Sequence, residues 1–487
     1  MNVCLVTSEA VPYAKTGGLG DVSRALSVAL QHAGCSVKVF MPLYQSIHTD
    51  EHELTFATEL QGCVVEIGDR RVRFNVWYTR LQPSDAEIYF IDCPDYYHRS
   101  HVYTNDRDED ERFILLQHAA FHVLQRYAWA PDIMHGNDWP TALLPAMLTE
   151  RYGWDSLFEQ TASVFSIHNI AYQGAFAESA IYKAGLSYSG FTPGGPLEFH
   201  GAFSFLKAGI AFADMVSTVS PTYAKEIQTA EFGLGMEGIL RSRSSDLVGI
   251  LNGIDTVEWS PDTDKWIPAN YSVESLDLKR ENKIALLREC GLSVDPDVPV
   301  IGIVSRLVAQ KGFNLLHPIL APLFETSSVR LIALGSGASE DESFLRWAAS
   351  VFPDRVHARI GFDERMAHLI EAGSDMFLMP SLYEPCGLNQ MYSLAYGTLP
   401  IVRKTGGLAD TVVDQDESNG SGNGFSFYDF SSYALYSTIT RALSCYANKP
   451  VWRAMQERGM RADFSWAASA AMYKDLYHAA RLRRGVA

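Results

Sequence analysis

The sequence predicts an α/β protein made of two doubly wound domains that face one another across a cleft. Short apolar runs alternate with helix-like stretches along the chain, and the pattern restarts near residue 299. The length of 487 residues also exceeds what one core usually organises, about 250–300 residues.

In the first half the runs are Val3–Val6, Val37–Met41, Ile88–Ile91, Ile133–Met134, Val164–Ile167 and Met215–Val219. In the second half they are Val300–Val304, Val329–Leu334, Val356–Ile360, Met376–Met379 and Leu399–Val402. They are mostly apolar rather than strictly alternating, as strands are when helices cover both faces of a parallel sheet. They are too many for one such sheet and divide into two Rossmann-like sets. The polar, proline-bearing segment 252–268 (NGIDTVEWSPDTDKWIP) marks the joint, giving domains 1–251 and 252–463. A last segment, 464–487, carries a helix-like stretch from Trp466 to Arg484. Its end is basic (Arg481, Arg483, Arg484), as suits a helix C-terminus.

Composition narrows the partners. A net charge of −17 leaves no basic surplus to displace counterions, which argues against nucleic acid. An anionic substrate must then be met by a few placed cations. No apolar run approaches the ~20 residues of a membrane span, so no membrane partner is expected. The seven cysteines are odd in number, scattered and never spaced CxxC, a pattern of free thiols in a reducing compartment. No charged and apolar leader precedes Val3, and a cytoplasmic location is expected.

An internal echo points to the site. Residues 15–21 read KTGGLGD and residues 404–410 read KTGGLAD, each placed between a strand-like run and a helix-like stretch. Tandem glycines at such a turn let backbone approach a ligand, and the helix N-terminus offers N–H groups to an anion. In doubly wound sheets, ligands sit outside the carboxyl ends of strands.

Candidate side chains follow the same rule. Arg306 and Lys311 lie in one loop after Val300–Val304, two cations suited to a diphosphate. Aimed at a departing diphosphate, they would stabilise charge that grows in the transition state. Glu384 follows Met376–Met379 within SLYEPCGL; it suits sugar hydroxyls or positive charge at an anomeric carbon, and the N–H groups of Gly387 and Leu388 lie just beyond. His168 and Asp138 stand at strand ends in SIHN and HGNDW, with Trp139 offering an apolar face for a pyranose. The run Pro94–His98, including Tyr97, suits an acceptor path.

Two signals are discounted. Leu334–Glu340 begins like GxGxxG but has Glu340 at the third glycine position, short of a dinucleotide fingerprint. The acidic stretch Asp106–Glu111 does not follow an apolar run and reads as a solvated loop. No metal and no cofactor are expected, because the placed cations can neutralise a diphosphate.

With these residues in hand, the chain resembles the bacterial glycogen synthase and plant starch synthase family. The resemblance runs in order through TSEAVPYAKTGGLGDV, HGNDW, SIHNIAYQG, STVSPTYAKEI, ILNGID, VSRLVAQKG, PSLYEPCGLNQ and YGTLPIVRKTGGLADT. It implies a retaining glucosyltransferase of the GT-B type, without metal, that lengthens an α-1,4-glucan such as glycogen from ADP-glucose. Its first domain would face the acceptor, its second the nucleotide sugar, and the final helix would cross back onto the first. By position, Lys15 would contact the donor with Gly18 and Asp21 nearby. Arg306 and Lys311 would grip the diphosphate, and Glu384, within EPCGL with Cys386, Gly387 and Leu388, would hold the glucosyl unit. His168 would contact the sugar. Asp138 and Asn252 would support the site, and Thr405, Gly406 and Gly407 would line the nucleotide–sugar pocket. Two positions depart from relatives. Tyr392 stands where many GT-B enzymes carry a second glutamate, which fits this branch and not the sucrose-synthase-like group. Phe362 stands where the family's tyrosine is expected, keeping a ring for adenine but losing its hydroxyl. A catalytically weak α-glucan-binding or regulatory protein that keeps the fold and a dinucleotide-dependent oxidoreductase are the rival classes. The intact Lys15, Arg306, Lys311 and Glu384 disfavour the first, and the broken GxGxxG disfavours the second.

Overall fold

The computed structural model describes residues 1–486, so Ala487, the end of the predicted last segment, lies outside the described residues. The chain forms two compact units. One comprises Met1–Gly253 with the C-terminal segment from Trp466; the other is Ile254–Ser465.

In the first unit the large sheet contains β1 (Asn2–Val6), β2 (Ser36–Pro42), β3 (Thr55–Phe56), β4 (Cys63–Ile67), β5 (Arg70–Arg80), β6 (Glu87–Asp92), β7 (Ile133–Asn137) and β8 (Ala162–Ile167). Next come β9 (Ala175–Phe176), β10 (Glu198–Phe199) and β11 (Ala202–Ser204), a separate small antiparallel sheet. Then β12 (Met215–Thr218) and β13 (Leu247–Gly249) rejoin the large one. Its order is β13-β12-β8-β7-β1-β2-β6-β5-β3, with β4 paired to β5. The central strands are parallel and β1 and β7 are almost wholly buried, which is why β1 is apolar from Val3 onward and β7 opens with Ile133 and Met134 before its polar end. By contrast β3, β4 and β5 pair antiparallel, and the last two alternate buried and exposed residues. Solvent on one face explains why a search for continuous apolar runs passes over them.

The acidic stretch proves to be structured. Glu109, Asp110 and Glu111 open the helix Glu109–Arg126 and are buried, not solvated. Arg112 pairs with Glu109 at 2.5 Å, Lys183 with Asp110 at 2.8 Å, Arg70 with Glu111 at 2.7 Å, and Arg99 with Asp106 and Asp108 at 2.6 and 2.7 Å. Four cations hold these acids in an ion-pair network at a helix N-terminus, where negative charge is favoured.

The second unit contains a wholly parallel sheet of β14 (Val300–Val304), β15 (Arg330–Gly335), β16 (Val356–Ile360), β17 (Met376–Met379), β18 (Leu399–Arg403) and β19 (Phe425–Phe427). The order is β16-β15-β14-β17-β18-β19. Apolar layers cover both faces: Ile301, Leu331 and Leu378 lie in one, Val300, Ile332 and Phe377 in the other. All seven cysteines are free thiols, and no helix among the described residues is long and apolar enough to cross a membrane.

The helix Trp466–Arg484 packs on β8 and on the helix Gly18–His32 of the first unit. Its Tyr477 hydroxyl lies 2.9 Å from Nδ1 of the buried His135, whose Nε2 is 2.7 Å from the Ser166 hydroxyl. Burial depresses the pKa of His135 to about 3, so the ring stays neutral and needs both partners. Tyr477→Phe should leave one ring nitrogen unpaired and destabilise the protein by about 1–3 kcal/mol. Urea unfolding measures this, and an unchanged midpoint would show that the helix is not held there.

Candidate active site

Each sheet reverses its strand order once, and the polar candidates collect at that reversal. In the second unit it falls between β14 and β17. Arg306 and Lys311 leave the end of β14, and Ser381 and Glu384 leave the end of β17. A cavity of about 170 Å³ is lined by Arg306, Lys311, Ser381 and Asn389 among others. Lys311 Nζ meets Glu384 Oε2 at 2.5 Å, and the Ser381 hydroxyl donates to the same oxygen at 3.1 Å. Both charged groups are largely buried, so the pair is weakly screened and strongly oriented. Gly312 holds the turn behind Lys311 with φ of 72°, and a Cβ there would strike the Pro380 carbonyl oxygen. Arg306 projects outward from the same loop, exposed.

The loop after Glu384 turns at Gly387, whose φ of 74° only glycine adopts without strain. Gln390 braces it by donating to the carbonyls of Cys386 and Gly387 at 3.2 and 3.0 Å. Gly387 and Leu388 are partly exposed, whereas Cys386 is buried. The second KTGGL copy lies beneath. Thr405, Gly406 and Gly407 are buried, Gly407 donates to the carbonyls of Glu384 and Pro385 at 3.2 Å each, and a Cβ on either glycine would collide with the Glu384 or Cys386 carbonyl. Here the tandem glycines let two loops touch backbone to backbone. The packing of Gly406 and Gly407 supports the Glu384 loop.

In the first unit the reversal falls between β1 and β7. The first KTGGL copy is separated from β1 by residues 7–14 rather than leaving the strand directly. Its glycines behave differently. A Cβ on Gly17 or Gly18 would meet nothing within 4 Å, and the helix that begins at Gly18 has no side-chain cap. Lys15 is half exposed and held by Asp21 at 2.8 Å. Burial raises the pKa of the Asp21 carboxyl, an effect that Lys15 opposes. The loop's organiser is Glu9, which sequence reasoning missed. Its buried carboxylate accepts from the Thr16 N–H, from the Thr16 hydroxyl at 2.7 Å, from Gly17 N–H at 3.3 Å and from the Tyr103 hydroxyl at 2.5 Å.

Beyond β7, Asp138 adopts φ 60° and ψ 177°, a region that strains any residue but glycine. Its carboxylate accepts the N–H groups of His168 and Asn169 at 3.1 and 3.4 Å. Burial nevertheless pushes its pKa up to about 7. His168 Nε2 is 3.0 Å from Asn137 Oδ1, and the Asn137 amide donates to the Val6 carbonyl. That orientation puts the histidine proton on Nε2 and leaves Nδ1 as an acceptor. Burial lowers the pKa of His168 to about 4, so it is neutral at pH 7. Asn252 is buried with an Oδ1 that has no hydrogen-bond partner, an acceptor in want of a donor.

Two expectations fail. Tyr97 is 0% exposed and donates its hydroxyl to the Arg112 carbonyl at 2.9 Å, so it belongs to the core and not to an acceptor path. Trp139 packs its ring against Phe113 and Phe176 at 4.9 and 5.7 Å, committed to an aromatic cluster rather than to a sugar. Phe362, by contrast, is 89% exposed just beyond β16. Tyr392 stacks on Trp259 at 4.1 Å.

The raised Asp138 pKa sets a stability signature. The folded state holds its proton up to about pH 7, whereas an unfolded aspartate releases it near ~3.9. The stability this protonation contributes is full below the unfolded value and is lost as pH rises through 7. Asp138→Asn should therefore gain stability relative to wild type between pH 4 and pH 8, by about 1–4 kcal/mol. Urea unfolding of both proteins at the two pH values measures it; a difference independent of pH would contradict it.

Comparison with known proteins agrees along the whole chain. Residues 2–242 match the family described as starch synthase catalytic domain, and residues 292–459 match glycosyl transferases group 1. The glycogen synthase of Syntrophotalea carbinolica is 42% identical over 484 residues, 99% of each chain. That of Anaeromyxobacter sp. is 44% identical over 480 residues, 98% of this chain and 99% of the relative. The catalytic domain of Starch Synthase IV from Arabidopsis thaliana, solved bound to ADP and acarbose, superimposes with a TM-score of 0.89 at 33% identity, covering 99% of each chain. The chain is a GT-B glycosyltransferase and belongs to the glycogen synthase and starch synthase family.

Proposed function

We propose that this glycosyltransferase moves glucose from ADP-glucose to the non-reducing end of an α-1,4-glucan, lengthening glycogen with retention of anomeric configuration. One observation carries the reading: Arg306, Lys311 and Glu384 converge at the strand-order reversal of the second unit. The printed names of the relatives support it, as does a structural neighbour solved with ADP and acarbose.

The second unit, Ile254–Ser465, is the nucleotide-sugar side. Arg306 and Lys311 bind the diphosphate and stabilise it as the bond to glucose breaks. Glu384 orients Lys311 in the resting state and accepts glucosyl hydroxyls when the donor is bound. The Gly387 and Leu388 N–H groups approach the donor, Cys386 and Thr405–Gly407 fix their loop, and Phe362 stacks on adenine. The first unit, Met1–Gly253 with the last helix, is the acceptor side. Lys15, oriented by Asp21 and by the Glu9-braced loop, meets the donor beside the open glycine Gly18. Neutral His168 accepts a sugar hydroxyl on Nδ1. Asp138 holds the His168 backbone, and Asn252 supplies a further acceptor for the sugar. The glucan 4-hydroxyl attacks from the face the diphosphate leaves, a front-face displacement, with water excluded from the donor. The cations carry the neutralisation that a metal performs elsewhere.

Arg306→Ala and Lys15→Ala should each lower kcat by about 100-fold or more while leaving the unfolding midpoint unchanged, because both side chains are exposed. The assay is glucose incorporation into glycogen from ADP-glucose and from UDP-glucose, each with and without EDTA. Wild-type turnover in either variant removes that residue from the site, and a preference for UDP-glucose overturns the donor. Phe362→Ala should raise KM for the donor about 10-fold with little change in kcat, as loss of a stacking surface predicts.

A further inference from the structure

We propose that Glu258, Glu364 and His368 form a divalent-cation site, suited to Zn²⁺, that lies outside the glucosyl-transfer machinery and pins the segment after Ile254 to the second unit's core. One ring nitrogen of His368 and one carboxylate oxygen from each glutamate all lie within 4.8 Å of one another. An acidic pair alone would say little. His368 is the independent observation. Its side chain is 0% exposed, Nδ1 lies 2.8 Å from Asp264 Oδ2, and Nε2 has no hydrogen-bond partner.

The chemistry of that ring is determined by its surroundings. Asp264 also accepts from the Tyr396 hydroxyl at 2.6 Å and from Trp266 N–H at 2.8 Å, so it acts as an acceptor and receives a hydrogen bond from Nδ1–H. A neutral imidazole that donates from Nδ1 carries its lone pair on Nε2. A buried lone pair without a donor is costly, and a metal ion satisfies it. Carboxylate–imidazole–metal is the arrangement in which an outer acid sets the tautomer and raises ligand basicity.

The other ligands come from two places. Glu364 opens the helix Glu364–Gly373, one turn before His368, and residues four apart share a helix face. Glu258 comes from the segment that begins the second unit. Its neighbour Trp259 stacks on the His368 ring at 3.8 Å and 12°, which fixes the imidazole plane. Both glutamates are exposed, so their carboxylates can rotate inward. Atoms sharing a tetrahedral zinc lie about 3.3 Å apart, within reach of such rotation. One nitrogen and two carboxylate oxygens, with water in the remaining position, suit Zn²⁺; Mg²⁺ and Ca²⁺ prefer all-oxygen sets.

The test uses the full chain, dialysed against EDTA and then metal-free buffer, and titrated with Zn²⁺ by calorimetry and with Co²⁺ by visible absorption. Uptake of one equivalent is expected, with tetrahedral cobalt bands and no sulfur-to-cobalt charge transfer. Zinc at about 100 times its dissociation constant should raise Tm by about 3 °C. Glu258→Gln and Glu364→Gln change exposed side chains and should each weaken binding at least about 10-fold, whereas Glu340→Gln, at the start of another helix, should not. Absence of stoichiometric uptake, a thiolate band, or binding unchanged in both ligand variants would overturn the site.

Discussion

A parallel sheet covered by helices on both faces offers very few places where polar chemistry can meet solvent without opening the core. Side chains along its strands are buried, and its backbone groups are consumed by the ladders. Only where the strand order reverses do two adjacent strands send their following loops to opposite sides, leaving a crevice at their carboxyl ends. In this chain that constraint operates twice, between β1 and β7 and between β14 and β17. Lys15 and Asp138 follow the first pair; Arg306, Lys311 and Glu384 follow the second. The location of the chemistry is thus a consequence of topology, and the residue types decide what the chemistry is.

Burial then decides which groups need a partner. Lys311 and Glu384 are each other's partner at 2.5 Å, and removing either would leave the other largely buried without it. His168 and Asp138 have no such partner, and burial drives both toward neutrality at pH 7. A neutral imidazole that donates from Nε2 to Asn137 keeps Nδ1 as an acceptor, which suits a hydroxyl donor. The strained backbone of Asp138 persists because its carboxylate grips two N–H groups of the next strand's loop.

Legibility in the sequence followed burial. Most of the runs that became β1, β2, β6, β7, β8, β12 and β14 through β18 were readable because both their faces are covered, while β16, at the sheet edge, is only partly buried. The antiparallel β4 and β5 were not, since they alternate. Arg306, Lys311, Glu384, Asp138 and His168 were readable as polar residues directly after such runs. Tyr97 and Trp139 misled because an aromatic ring serves a core as readily as a sugar, and only tertiary neighbours decide which. Glu9 gave no signal: an acid eight positions before a glycine pair has no periodicity, and its role exists only once the loop folds back on it.

The two KTGGL copies carry this furthest. Near-identical sequence invites one explanation, yet the first pair of glycines borders open space and the second is pressed against the Glu384 loop. Glycine contributes the absence of a Cβ, and absence can admit a ligand or another strand of backbone with equal ease. What separates the two uses is the neighbour. After β1 a long loop, braced by Glu9, carries the chain away from other backbone before the helix begins. After β18 the turn is immediate, and the loop from the adjacent strand β17 already occupies the space. A repeated motif therefore specifies a backbone geometry, and the topology around it assigns the occupant.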